Sequence, residues 1–139
     1  MDKDKLHNEF LNRYELSVSA NPAFHEVVEQ IFKAKHVNAT TFMKLTSLDP
    51  MFYTRLTRAN EQFSLRIIVT LCVGLGLGTG ILERLLSLMS HSLSPRKHLD
   101  CLYRFVVEHS DIMNIQECND FLKSEGVKSK DLLGSQTRE

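Results

Sequence analysis

The sequence predicts an all-α protein, and two observations carry the prediction. Each of the three prolines follows a residue that commonly caps a helix, in Asn21–Pro22, Asp49–Pro50 and Ser94–Pro95. Proline suits the first helical position because that position has no N–H partner to lose, and the residue before it can accept an unpaired N–H. Elsewhere apolar residues recur with helical spacing, and only the glycine-alternating VGLGLG has the period of a strand.

Five helices are predicted in the first half of the chain. Residues 3–17 and 22–35 each carry an apolar stripe, and the second of these helices begins at the first capped proline. Short helices over 39–46 and 50–58 follow, with the second capped proline at the start of the latter. Residues 64–76 are apolar almost throughout, which indicates a buried helix. The two stripes consist of Leu6, Phe10, Leu11 and Tyr14, and of Phe24, Val27, Val28, Ile31 and Phe32.

Three further helices are predicted over 79–90, 95–109 and 114–124. The third capped proline begins the middle one. Asn114 and Glu117 have the spacing of a capping box before the last helix, and a glycine at 126 is placed to end it. The apolar stripes of the first two consist of Ile81, Leu82, Leu85, Leu86 and Met89, and of Leu99, Leu102, Tyr103, Val106 and Val107.

Four alternating glycines in VGLGLGTG, residues 73–80, raise the question of a phosphate-binding loop. A dinucleotide-binding loop needs GxGxxG between a strand and a helix, and a P-loop needs GxxxxGK[ST]; neither pattern is present. We therefore interpret Gly76 and Gly78 as the break between two helices, with Thr79 capping the second. Gly74 is expected to let two helices pack closely.

Composition describes an ordinary globular chain. The 139 residues are 42% hydrophobic and 24% charged, and the formal net charge is zero, which argues mildly against nucleic-acid binding. No apolar run is long enough to span a membrane, and the polar start MDKDKLHNEF has no signal-peptide core, so we expect a cytoplasmic protein. Three cysteines without CxxC spacing are expected to be reduced thiols.

No residue set indicates an enzyme, a cofactor or a metal site. The six histidines form no HExxH motif. His98 and Cys101 share a helix face, but the spacing supplies no third ligand, and structural zinc sites need four. Cys72 lies in an apolar helix and is interpreted as an inert core thiol.

The most informative stretch is ATTFMKLTSLDPMFYTRLTRAN, residues 39–60. Its pattern predicts a short helix, a tight turn and a second helix. Two such helices cross steeply, and a small set of inward-facing side chains must fill the space between them. That set is Phe42, Thr46, Leu48, Tyr53 and Leu56.

With this motif the chain resembles the phage-repressor/Cro-like helix-turn-helix regulators, and more narrowly a bacterial subgroup with a C-terminal helical extension. The matching features are the motif, the LERLL…SHSLS run, Asp100, the spacing of Ile115, Asn119 and Leu122, and the final Leu132-Leu133-Gly134-Ser135. The resemblance covers about residues 22–135. It implies a repressor-like five-helix core within 21–92, with an additional N-terminal helix within 1–20 and a helical extension over 93–135.

The resemblance also implies a function and a site. The protein would be a sequence-specific transcriptional regulator that binds double-stranded DNA as a homodimer, with residues 50–58 as the recognition helix. Arg55 is the best candidate for reading a base, because a guanidinium can pair with guanine through two hydrogen bonds. Matching outward positions are Pro50, Met51, Thr54, Arg55 and Arg58, and positions near phosphates are Thr40, Thr41, Lys44, Ser64 and Arg66.

Several residues depart from the family pattern and leave an alternative open. Met43, Ser47, Asp49 and Pro50 stand where small, glycine or polar residues are usual. Met51 and Phe52 could instead make the scaffold a protein-interaction module, such as an antitoxin or an adaptor with a protein partner. A basic surface over 44–66 would favour DNA, and a continuous apolar patch would favour a partner. Helices 95–124 could cover the core or form the dimer interface, and the N-terminal helix is a second candidate for that interface.

Overall fold

The computed structural model describes residues 3–6 and 22–134, and over these ranges the chain is helical without any strand. The predicted all-α fold is confirmed. Residues 3–6 are helical, while Phe10, Leu11 and Tyr14 of the predicted first stripe lie outside the described residues. The later helices are α1 (Phe24–Ala34), α2 (Ala39–Thr46), α3 (Pro50–Leu56), α4 (Leu65–Leu75), α5 (Gly78–Leu88), α6 (His98–Glu108) and α7 (Ile115–Ser124).

Caps explain where several helices begin and end. The Asn114–Glu117 capping box is confirmed, since Asn114 Oδ1 accepts the Glu117 N–H at 2.8 Å and Glu117 Oε1 accepts the Asn114 N–H at 3.0 Å. Gly126, with φ +88°, lies one residue beyond the C-cap of α7, as predicted. Asp49 and Pro50 also begin α3 as predicted, with the Asp49 side chain accepting the Met51 N–H.

Two of the three helix starts predicted at prolines are wrong. The predicted helix 22–35 begins at Phe24, because Glu26 reaches back to the N–H of Ala23 at 3.0 Å and makes Ala23 the N-cap. The predicted start at Ser94–Pro95 is instead a turn, in which Ser94 Oγ accepts the Arg96 N–H at 3.2 Å. The helix there begins only at His98. The carboxylate of Asp100 accepts the Ser94 N–H at 2.8 Å and holds the preceding residues in the turn.

The glycine-rich stretch is a helix break, as predicted. Gly76 ends α4 in the left-handed region at φ +63°, and Gly78 has φ +81° at the start of α5. The predicted cap is wrong: Thr79 lies inside α5, and the N-cap residue Leu77 makes no side-chain capping bond. A short 3-10 turn, Ser129–Asp131, was not predicted.

Helix α4 lies at the centre of the fold and packs against α2, α5, α6 and α7. Eight of its residues are buried, which its near-continuous apolar sequence requires. Buried apolar residues from the predicted core and from the predicted extension form one cluster that runs from Phe24 to Leu133. The C-terminal helices thus pack on the same central helix, α4, as α2 does.

Close packing of α4 on α2 depends on Gly74, as predicted. A Cβ atom there would lie 2.7 Å from Thr46 Cγ2 and 2.8 Å from the Leu45 carbonyl oxygen. Real Cβ atoms do not approach other atoms so closely, so only glycine fits. Among residues 3–6 and 22–134, no helix is long and apolar enough to cross a membrane.

Candidate nucleic-acid interface

Helices α2 and α3 are joined by only three residues, 47–49. Helix α2 ends when Ser47 enters the left-handed region at φ +59°, a conformation that glycine adopts most readily. Leu48 then points into the core, where it is 2% exposed. The segment that we call the α2–α3 turn, residues 47–49, therefore reverses the chain sharply between two short helices.

The hydroxyl of Thr46 holds this turn from within. It donates to the Phe42 carbonyl at 2.7 Å and accepts the Leu48 N–H at 3.2 Å. The predicted inward set is confirmed: Phe42, Thr46, Leu48 and Leu56 are buried, and Tyr53 packs against the core. Phe32 of α1 stacks on Tyr53 with ring centroids 5.1 Å apart, so α1 fixes the pair from behind.

The outer side of α3 presents Pro50, Met51 and Thr54, which are all exposed. Thr40 and Lys44 are exposed on the neighbouring helix α2. Helix α3 is shorter than the predicted 50–58, because its last turn closes on the Thr57 hydroxyl, which donates to the Tyr53 and Thr54 carbonyls. Arg58 consequently follows the helix and does not extend it.

Arg55 and Arg58 share one carboxylate. Arg55 Nε donates to Glu61 Oε1 at 3.0 Å, and Arg58 Nη1 lies 3.5 Å from Glu61 Oε2. The Arg55 guanidinium also lies 5.2 Å from the ring centroids of both Phe52 and Phe63. Attraction between the cation and the two rings holds the side chain against the protein surface. The Arg58 side chain is 58% exposed and the Arg55 side chain 33%, so Arg58 is the more accessible of the two.

Three of the predicted phosphate contacts use polar atoms within the protein. Thr41 Oγ1 accepts the N–H of Asn38 at 2.8 Å and completes the cap of α2. Ser64 caps α4 by accepting the Ile67 N–H at 3.4 Å. Arg66 turns toward the C-terminal end of the described chain, where Nη1 donates to backbone carbonyls. Their contacts with DNA stay a prediction.

The surface around α2 and α3 is mixed in character. Met43, Leu45 and Met51 are 41%, 44% and 57% exposed. They account for three of the six large apolar side chains exposed in the part of the chain that the structure describes; the others are Leu6, Phe105 and Ile112. Neither a purely basic face nor a wholly apolar patch results, so both sequence-based alternatives stay open.

Glu61 is the site residue that sequence reasoning missed. The signal in the sequence was its position three residues after Arg58, although both residues follow the end of α3 at Leu56.

Replacing Glu61 with glutamine removes the carboxylate that holds both guanidinium groups and is expected to leave them free to reach base edges. The variant should therefore discriminate more strongly between a preferred and a mutated duplex. Affinities for the two duplexes measure the discrimination; an unchanged ratio would show that these arginines do not read bases.

The three cysteines differ in accessibility. Burial raises the pKa of the Cys72 thiol to about 12 and, with a smaller contribution from Glu117, that of Cys118 to about 11. Cys101 is exposed, and its Sγ donates to the Pro95 carbonyl at 3.4 Å. Within the described ranges no three His, Cys, Asp or Glu side chains are grouped to hold a metal ion.

Thiol labelling follows from this difference, because the thiolate is the reacting form and the two buried thiols hold their protons at neutral pH. Iodoacetamide at pH 7.5 is expected to modify Cys101 alone in the folded protein, and all three cysteines after denaturation. Mass spectrometry of the tryptic peptides measures both. Modification of Cys72 as fast as that of Cys101 would contradict its burial in α4.

In comparisons with known proteins, no family model, curated protein or solved structure matches the chain.

Proposed function

We propose that the protein is a sequence-specific DNA-binding transcriptional regulator of the repressor-like helix-turn-helix kind. One observation carries the proposal: two short helices joined by the α2–α3 turn, supported from behind by α1 and α4, with the side chains of Thr54 and Arg58 on the outside. A helix-turn-helix binds DNA with its second helix in the major groove, and here that helix is α3.

The proposed mechanism divides the exposed side chains between two tasks. Thr54 and Arg58 read base edges, and Arg55 contributes through the N–H groups that Glu61 leaves available. Lys44 and Thr40 contact phosphates, which orient the protein without reading sequence. Since α3 has only seven residues, one copy reads a short half-site. A homodimer would place two copies of α3 in successive major grooves about 34 Å apart.

Arg58→Ala and Lys44→Ala separate the two tasks. Arg58→Ala is expected to weaken binding to the preferred site by about 1–2 kcal/mol and to reduce discrimination against a mutated site. Lys44→Ala should weaken binding to both sites about equally. Lys123→Ala, an exposed lysine in α7, is the matched control. Fluorescence anisotropy with both duplexes measures the effects; an Arg58→Ala variant with unchanged discrimination would remove Arg58 from the reading face.

A second candidate function rests on the exposed Met43, Leu45 and Met51. Exposed apolar side chains favour a protein-binding surface, so the same scaffold could act as an antitoxin or adaptor, although Met43 and Leu45 lie on different faces of α2. Met51→Gln distinguishes the two. If the protein is an interaction module, Met51→Gln abolishes binding of the protein partner. If it is a DNA-binding regulator, the substitution changes the affinity for DNA, and there is no partner binding to abolish.

A further inference from the structure

The end of the described chain is buried against the α2–α3 turn. Leu132 and Leu133 are 4% and 0% exposed, and Gly134 is buried beside them. A Cβ atom on Gly134 would lie 3.0 Å from Ser47 Cβ and 3.1 Å from the Thr46 carbonyl oxygen. We call residues 132–134 the C-terminal strap. Its backbone packs directly against the α2–α3 turn.

Polar side chains from two helices hold the strap in place. Arg66 of α4 donates through Nη1 to the carbonyls of Leu132 and Gly134, the first at 3.1 Å. Thr70, one helical turn further along α4, accepts the Gly134 N–H at 3.1 Å through its hydroxyl oxygen. These bonds join residues more than sixty positions apart and tie the strap to the helix that also packs behind α2.

Asn119 of α7 completes the arrangement. Its Nδ2 donates to the Leu133 carbonyl at 3.1 Å, and its Oδ1 accepts the Leu133 N–H at 2.8 Å. Asn119 is fully buried, so loss of either bond would leave an unpaired polar group away from water. The strap therefore has one well-defined position, fixed from both sides.

Two backbones in consequence lie against the end of α2 and the first residue of the α2–α3 turn. Gly74 contacts Leu45 and Thr46 from α4, and Gly134 contacts Thr46 and Ser47 from the strap. The turn holds Ser47 in the left-handed region, which costs a non-glycine residue free energy unless its surroundings enforce it. The strap supplies part of that enforcement.

We propose that Arg66 is a positioning residue: it holds the C-terminal strap against the α2–α3 turn and thereby sets the orientation of α3. The consequence for DNA recognition rests on the proposed function, while the effect on the turn does not. This role, exerted on DNA through the turn, replaces the phosphate contact that the sequence predicts for Arg66.

Hydrogen exchange in the 139-residue chain tests the proposal. In Arg66→Met, the amides of Ser47 and Leu48 are expected to exchange about tenfold faster, because the strap no longer packs firmly against the turn. The amides of α6 should keep their exchange rates. Arg66→Lys should recover part of the protection, since an ammonium group can still donate to the two carbonyls. Arg96→Met, an exposed arginine in a loop, is the matched control and should change nothing.

Gly134→Ala provides a second variant that keeps the Arg66 side chain: the added Cβ would clash with the turn, and alanine would be strained at φ +78°. It should accelerate exchange of the same amides and weaken specific DNA binding about tenfold. Wild-type exchange at Ser47 and Leu48 while the strap itself exchanges faster would overturn the proposal. Equal acceleration in all helices of both variants would also overturn it, because Arg66 would then be a general stabilising residue. A wild-type protein without any DNA binding would instead refute the proposed function, and exchange would still decide the role of the strap.

Discussion

Replacing Phe42 with alanine is expected to lower the free energy of unfolding by about 3–5 kcal/mol, the cost of a large aromatic truncation in a packed core. Phe42 of α2 is fully buried and faces α1 and α3. Its ring meets those of Phe32 and Tyr53 edge-on, with centroids 5.8 and 5.7 Å away. Truncation to alanine removes both ring contacts and leaves a cavity in the core.

Phe105→Ala is the matched control for this prediction. Phe105 is also a helical phenylalanine, but it is 42% exposed on α6 and has less contact area to lose. Urea unfolding followed by circular dichroism measures both variants under the same conditions. A loss below about 1 kcal/mol for Phe42→Ala would contradict the packing of α1 against α2 and α3.

Alanine substitutions at Gly74 and Gly80 are expected to have opposite effects on stability. Gly74→Ala should destabilise by about 1–3 kcal/mol, because its Cβ would meet Thr46 Cγ2 at 2.7 Å and the backbone of Leu45 at 2.8 Å, and packed backbone yields little. Gly80→Ala, inside α5 with nothing within 4 Å of the added atom, should stabilise by about 0.5–1 kcal/mol through helix propensity.

The pair isolates close packing from propensity, because both substitutions replace a helical glycine with the same residue. Thermal unfolding monitored by circular dichroism gives the sign directly. Gly74→Ala as stable as the wild type would contradict the contact between α4 and the end of α2. Gly80→Ala less stable than the wild type would contradict the open position of Gly80 in α5.

Two local features of this chain were readable from sequence because residues close in the chain decide them. The capping box at Asn114 and the proline start of α3 depend on contacts within three residues, and both were predicted correctly. Ser94–Pro95 misled because Asp100, six residues on, takes the Ser94 N–H and delays the helix. This acceptor lies beyond the three or four residues that a capping pattern covers, so the pattern alone does not reveal it.

The candidate site was predictable in its inward half and only partly in its outward half. Burial of Phe42 and Leu56 follows from helical spacing. The partners of the arginines do not, because Glu61 holds Arg55 and Arg58 only once the chain has left α3. The bonds from Arg66 to the strap depend on how α4 meets the C-terminal segment, which no short-range pattern encodes.

The measurement that tests DNA recognition most directly is selection from a pool of random duplexes by the 139-residue chain, first at low and then at physiological salt, with sequencing of the bound fraction. A sequence-specific dimer is expected to enrich a motif that persists at physiological salt, arranged as an inverted repeat with half-sites about 10 base pairs apart, centre to centre. Binding that disappears with salt and enriches no motif would be charge attraction alone. That result, or no binding at either salt concentration, would contradict the proposal and favour a protein partner for α2 and α3.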